Sequence, residues 1–416
     1  MIRSEVPLKR LVDPYRPITY GIVQAGPDTP GGTPYIRPAD MTPNAGVLDP
    51  ESLLRTTLTI ADSYRRSTIR DGDLVVSIGP SFGKVMIVPP ALAGANLTQG
   101  TARVAPGPNV EARFLYWALQ SAIAVKFWES SVGGATFRAL NLEPLSRTPV
   151  ALMDLGEQRR IADFLDSEVS RLDELSALRL KQLATLSEYL LCAVSSIADG
   201  ARDVPMVRLG YLAKVQSGIT VDSSRDLSGD VVRRPYLRVA NVQEGFVALD
   251  SVTEVTVPRQ MAAVSTLRPG DVLMTEGGDL DKLGRGTVWR GELFDCLHQN
   301  HVFAVRPDPR KLDPDYLALL TRSTHARSHF ESTGVRTTNL ASTSSSKIRD
   351  LRVPLVDLEE QRVTVRRINA EVEKIAALRR ALTDQLSLIS ERRQAMVTVA
   401  VTGQLDVSTA RGADLS

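Results

Sequence analysis

Two stretches of this chain repeat apolar residues every three or four positions and hold neither proline nor glycine, Glu157 to Asp199 and Leu358 to Thr402. In the first, Leu165, Val169, Leu172, Leu183, Leu186, Leu190, Ala193 and Ile197 form the stripe, with Ser176 and Arg179 interrupting it. In the second, Ile368, Val372, Ile375, Leu382, Leu386, Ile389 and Met396 do the same. Charged residues such as Asp163, Asp166, Glu168, Arg366, Arg367 and Lys374 lie off the stripe. That pattern predicts two long helices of coiled-coil type. A bundle helix in an ordinary core would show a similar stripe, but two equal copies favour pairing with each other. Gly200 and Gly403 stand where a glycine closes a helix. About 40 residues at 1.5 Å each span roughly 60 Å, so antiparallel packing would set one block at each end, related by a pseudo-twofold axis.

The remaining sequence is short apolar runs broken by Gly, Pro and Asp, and it is written twice. Asp73-Leu-Val-Val-Ser-Ile78, Lys84-Val-Met-Ile-Val88 and Asp271-Val-Leu-Met-Thr275 read as short strands between turns. A helical patch closes each block, near Val110–Glu129 and Pro314–Glu331. Pro34-Tyr35-Ile36-Arg37 returns as Pro235-Tyr236-Leu237-Arg238, and Ile69-Arg70-Asp71-Gly72-Asp73-Leu74 as Leu267-Arg268-Pro269-Gly270-Asp271-Val272. Val150-Ala-Leu-Met-Asp-Leu-Gly-Glu-Gln-Arg159 matches Val353-Pro-Leu-Val-Asp-Leu-Glu-Glu-Gln-Arg362 at seven of ten positions, 203 residues on. Ordered blocks at a nearly constant offset mark an internal duplication. The expected fold class is α+β, two similar mixed blocks at 1–155 and 201–357. Helical spacers follow at 156–200 and 358–406, with a tail at 407–416.

Charge refines this picture only slightly. The net charge is +2, but residues 1–150 and 202–352 each carry +3 while 151–201 carry −4. The excess positive charge sits in the two blocks, where it would suit a phosphate backbone without requiring one. Two cysteines, Cys192 and Cys296, are too few for a disulfide framework. The N-terminal residues have no apolar run of signal-peptide length and no stretch of 18 apolar residues follows, so a cytoplasmic location is expected.

Enzymatic signatures are missing. There is no Asn/Asp-Pro-Pro-aromatic run for a flipped adenine; Val12-Asp-Pro-Tyr15 lacks the second proline. Gly79-Pro-Ser-Phe-Gly83-Lys84-Val85 is one residue short of a nucleotide-phosphate loop and has no hydroxyl after the lysine. It reads instead as a turn offering Lys84 to a DNA phosphate, with Gly284-Arg285 at the matching place; a solvated turn is the plainer account. Cys296, His298 and His301 suggest a metal, but a strand would point them to opposite sides and nothing completes the set, so no metal is expected. Gln299 and Asn300 carry amides able to read adenine. Arg37, Arg238, Lys282, Arg285, Arg336 and Asn339 are the other candidates for reading bases, with Thr338 beside them in a hydroxyl-rich loop that could donate to phosphates. Each alone could equally be a surface residue. Glu157, Gln158 and Arg159, and Glu360, Gln361 and Arg362, open the helices. The helix dipole explains the glutamates but not the repeated Gln-Arg. Contact with a partner subunit, or with the opposite half, accounts for all three.

The order of block, helix, block, helix, with Leu-x-Glu-Gln-Arg at Leu155–Arg159 and Leu358–Arg362, resembles the specificity subunits of Type I restriction-modification systems. Ile18-Thr-Tyr-Gly-Ile-Val-Gln-Ala-Gly26, the run from Thr275 to Arg290, Cys296 to Phe303 and Thr337-Thr-Asn-Leu340 add to the likeness. It covers the chain to about Asp406. The resemblance implies target recognition domains that read a split, asymmetric site in double-stranded DNA, with the helices setting the gap. It implies a non-catalytic chain without cofactors, two methyltransferase subunits and motor-nuclease subunits as partners, and S-adenosylmethionine, ATP and Mg only in those partners. Competing readings are the recognition part of a combined restriction-methyltransferase of another type, a degenerate nuclease or methyltransferase, and a coiled-coil adaptor without DNA readout.

Overall fold

The computed structural model describes residues 4–42, 46–47, 49–132, 138–199, 204–221, 227–278, 283–336 and 341–407. Side chains of Asp199, Gly278 and Arg336 lie outside that description, as do Gly200, Lys282, Thr338 and Asn339. The chain divides into two compact units. One is Met1–Arg179 with Thr383–Ser416, the other Leu180–Leu382. Both periodic stretches are helices, Leu155–Asp199 of 45 residues and Leu358–Val401 of 44. Each contributes one part to each unit.

In the first unit, alternating residues explain a sheet buried on both faces. Its four antiparallel strands run in the order Thr19–Tyr20, Thr101–Val104, Leu74–Ser77, Val85–Ile87. Leu74 and Val76 face a core that includes Phe114, Trp117 and Trp128, while Val75 faces a second core with Ile36, Ile69 and Leu97. A three-stranded sheet, Arg55–Thr56, Thr33–Ile36, Asn96–Leu97, covers that second side. The first and last strands of the block, Glu5–Pro7 and Pro149–Ala151, pair antiparallel, so the block begins and ends at one place.

The second unit repeats this strand for strand. Its four-stranded sheet runs Ala213–Ser217, Val302–Pro307, Val272–Thr275, Gly286–Val288, and its three-stranded sheet runs Thr253–Pro258, Val231–Leu237, Leu297–His298. Val272 and Met274 face one core and Leu273 the other. Met206–Arg208 pairs with Arg352–Pro354 to close the block. Even one close approach recurs. A Cβ on Gly21 would sit 1.9 Å from the Leu97 carbonyl oxygen, and one on Gly218 2.1 Å from that of His298. Only glycine permits either contact.

The two helical patches expected from sequence are each a pair of helices. Ala112–Gln120 and Ala122–Ser131 are separated by Ser121, and Pro314–Leu320 and Thr324–Thr333 by a break ending at Ser323. Both serines are extended and accept from the amide three residues on, Ala124 or Ala326, at 3.3 Å. Their hydroxyls are the caps that start the second helix of each pair.

Start meets end where the long helices share a unit, as an antiparallel pair requires. Ile161, Ala162, Leu165 and Val169 share the first unit's core with Val397, Ala400 and Val401. Val194 and Ile197 share the second unit's core with Ile368, and Val365 and Val372 pack against it. Gly403, at φ 70°, ends the second helix in the left-handed region, its amide 3.0 Å from the Ala400 oxygen.

Candidate nucleic-acid interface

The attachment of each block to its helix is the best-defined polar site in either unit. Asp154 and Asp357, inside the repeated ten-residue block, cap the helices. Their Oδ1 atoms accept from the amides of Glu157 at 2.9 Å and Glu360 at 2.8 Å. The glutamine next to each glutamate turns inward and is buried. Gln158 Oε1 accepts from the Glu111 amide at 2.9 Å, and its Nε2 donates to the carbonyls of Asn109 at 3.2 Å and Met153 at 2.9 Å. Gln361 does the same with the Asp313 amide at 2.8 Å and the Lys311 and Val356 carbonyls at 2.9 Å each. Arg159 lies 3.5 Å from Glu111 and Arg362 3.9 Å from Asp313.

This corrects the reading of those glutamines as contacts to a partner or to the opposite half. Gln158 and Gln361 spend their amides on the backbone of their own unit. Arg159, Glu360 and Arg362 are exposed, and Glu157 is half-buried. A second attachment escaped the sequence reading. The Ala122 amide donates to Thr398 Oγ1 at 3.0 Å, and the Thr324 amide to Ser195 Oγ at 3.0 Å. Thr398 and Ser195 also stand 203 residues apart, so the duplication held the signal.

The proposed reading residues occupy two loops and a small sheet. Arg37 and Arg238 each begin a turn closed by the residue three positions on. The Arg37 amide donates to Asp40 at 2.8 Å and the Arg238 amide to Asn241 at 2.8 Å. The Arg37 guanidinium also binds Asp40, at 2.6 and 3.0 Å, which holds it above its ordinary pKa. Arg238 Nη2 donates to the Ser251 carbonyl at 3.2 Å.

Lys84 follows its turn glycine as expected, but its ammonium reaches inward. It donates to the carbonyls of Pro38 at 3.0 Å and Met41 at 2.7 Å, stapling the loop after Arg37 to the turn. Arg285, at the matching place, binds Glu244 at 2.6 Å, in the loop after Arg238. The basic residue after the turn glycine therefore joins two loops in each unit, which replaces the presentation of Lys84 to a phosphate.

Strands Gly277–Gly278, Ala341–Ser342 and Val335–Arg336 form one sheet in that order. Their register sends the chain out from Gly278 and Arg336 at the same end. Lys282, Thr338 and Asn339 themselves lie outside the described residues. Asn300 and His301 neighbour this sheet, because the Glu276 amide donates to the His301 carbonyl at 2.8 Å and His301 Nδ1 bonds the Glu276 carboxylate. Gln299 is turned away, its Oε1 accepting from the Val239 amide at 3.3 Å.

Cys296 and His298 are buried, and burial pushes the Cys296 thiol up to about 12 and the His298 imidazole below its ordinary value. His301 is exposed. Among the described residues, no group of three or more His, Cys, Asp or Glu is placed to hold a metal ion, and no helix is long and apolar enough to cross a membrane.

Comparison with known proteins returns one family. Residues 24–185 match the family model of the Type I restriction modification DNA specificity domain. The Type I restriction enzyme EcoBI specificity subunit of Escherichia coli is 30% identical over 159 residues, which is 38% of this chain and 33% of that protein. The match thus spans about a third of that relative's length. Among solved structures, one described as the structural basis of complex assembly and conformational transition of the type I R-M system superposes with a TM-score of 0.74 at 20% identity. It covers 97% of this chain and 98% of the other. The HsdS subunit from Thermoanaerobacter tengcongensis gives 0.54 at 19% identity, covering 97% of both chains. Those likenesses establish the fold along the chain. The resemblance drawn from the sequence is the family that all three comparisons return.

Proposed function

We propose that the whole chain, and not only residues 24–185, is the DNA-reading specificity subunit of a Type I restriction-modification system. Each unit reads one part of a bipartite, asymmetric target in double-stranded DNA. The observation that carries this is the duplication in three dimensions. The part that matches a DNA specificity domain has a second copy with the same strand orders, the same loop staple and the same helix attachments. A coiled-coil adaptor has no need of two such blocks.

The chain binds and positions, and its partners do the chemistry. The sequence has neither an adenine methyltransferase motif nor a complete nucleotide-phosphate loop. Two methyltransferase subunits and the motor-nuclease subunits join it in the cytoplasm and bring S-adenosylmethionine, ATP and Mg. Base readout belongs to the loops at the Arg238, Asn300 and Gly278–Ala341 end of the second block, with Arg285 bracing one of them. The Arg37 loop is its counterpart in the first.

Mapping methylated adenines in the source genome, with and without this gene, tests the reading. Loss of methylation at one two-part motif is the expected result. An unchanged map, or methylation by the purified chain alone given DNA and S-adenosylmethionine, overturns it.

A further inference from the structure

One cavity in the second unit gathers far more positive charge than the fold requires. It holds about 220 Å³ and is lined by Arg285, Arg322, Arg327 and Arg379, one glutamate, Glu244, and the helix face from Ser187 to Val194. Glu244 is shared, 2.6 Å from Arg285 and 2.9 Å from Arg322. Four guanidiniums and one carboxylate line the space. Arg322 Nε is buried with no hydrogen-bond partner among the described residues. That N–H is a donor which an anion seated in the space would satisfy.

The first unit shows that the architecture does not need this cluster. At the aligned places it has Lys84, whose ammonium is held by backbone carbonyls, and uncharged Gln120, Val125 and Ser176. The guanidiniums are therefore an addition to one copy. Planar forks converging on a small space suit the oxygens of a phosphate group, which accepts several charge-assisted hydrogen bonds at once.

We propose that this cavity is a phosphate-binding site, specific to the second unit and built against the loop after Arg238, which supplies Glu244. The group held there is either a free phosphate or a backbone phosphate of bound DNA, and the same chemistry recognises both. The site stands on its own residues, so it survives if the proposed function fails.

The test uses the full chain and inorganic phosphate, titrated by calorimetry against chloride at equal ionic strength. Saturable binding with one site per chain is expected. Arg327→Gln with Arg379→Gln should weaken it at least tenfold, whereas Glu244→Gln, which removes the one carboxylate, should tighten it severalfold. If the double variant does not fold, by circular dichroism, the Glu244→Gln titration decides. Absence of saturable phosphate binding, or an affinity unchanged in every folded variant, overturns the proposal. A short duplex that displaces the phosphate identifies the backbone as the source; simultaneous binding of both identifies free phosphate.

Discussion

His298 and Leu97 occupy the same register in the two blocks, opposite Leu237 and Ile36 in parallel pairs, yet one titrates and the other does not. His298 is fully buried, its Nδ1 2.6 Å from the Val302 carbonyl and its Nε2 without a partner among the described residues. Burial favours the neutral ring and lowers its pKa from the ordinary 6.5. Below that pH the unfolded chain takes up a proton that the folded one refuses. Stability tied to His298 is therefore intact above about pH 6.5 and is lost as pH falls, by up to about 1.4 kcal/mol per pH unit. His298→Leu, which copies the first block, should flatten the acid limb of a plot of melting temperature against pH and leave pH 7.5 little changed. A variant with the wild-type acid limb would show that His298 is not the sensor. The cysteines offer a companion check. Cys192 is exposed, whereas the buried Cys296 thiol is pushed up to about 12. A thiol reagent at pH 8 should label one cysteine per native chain and two after denaturation; two rapid equivalents in the native chain would contradict the burial.

At the start of each long helix the block is gripped through its backbone, beside side-chain pairs such as Arg113–Asp166 at 2.8 Å further along the first helix. Gln158 and Gln361 each satisfy one amide and two carbonyls where helix meets block. Truncation strands those groups in a buried place, at about 1–3 kcal/mol for each left unpaired. Gln158→Ala and Gln361→Ala should each lower the melting temperature of the chain by several degrees, and Arg159→Ala far less, because its partner is reached at the surface. Equal effects of Gln158→Ala and Arg159→Ala in thermal denaturation would remove the distinction. The sequence foretold these helices because apolar spacing is a property of one element, and it foretold the duplication because two copies can be compared directly. It missed what Gln158 does, because a repeated polar residue looks the same whether it faces a partner or its own backbone. The cap at Asp154 went unread as well, although an aspartate three residues before Glu157 carries that signal. The inward turn of Lys84 was not legible, since nothing local shows that the Pro38 and Met41 carbonyls lie within reach.

At the scale of the whole molecule, that backbone grip would let a block of the proposed reader change its sequence without losing its place. Gln158 recognises the course of the chain at Asn109 and Glu111, and the hydroxyl of Thr398 recognises the Ala122 amide, so neither contact asks for a particular side chain in the block. The block's first and last strands pair, which puts both junctions of an exchange at one edge. Residues 1–150 should therefore be replaceable by the corresponding block of a Type I specificity subunit while Asp154, Gln158 and the helix remain. The hybrid is expected to methylate, with its partners, a site in which one half is new and the other half and the gap are retained. Methylome sequencing reads both halves in one experiment. A hybrid that folds and binds but changes both halves together would mean that the two units do not read independently, and a gap altered by the exchange would mean that the grip at Gln158 does not set how the block is held.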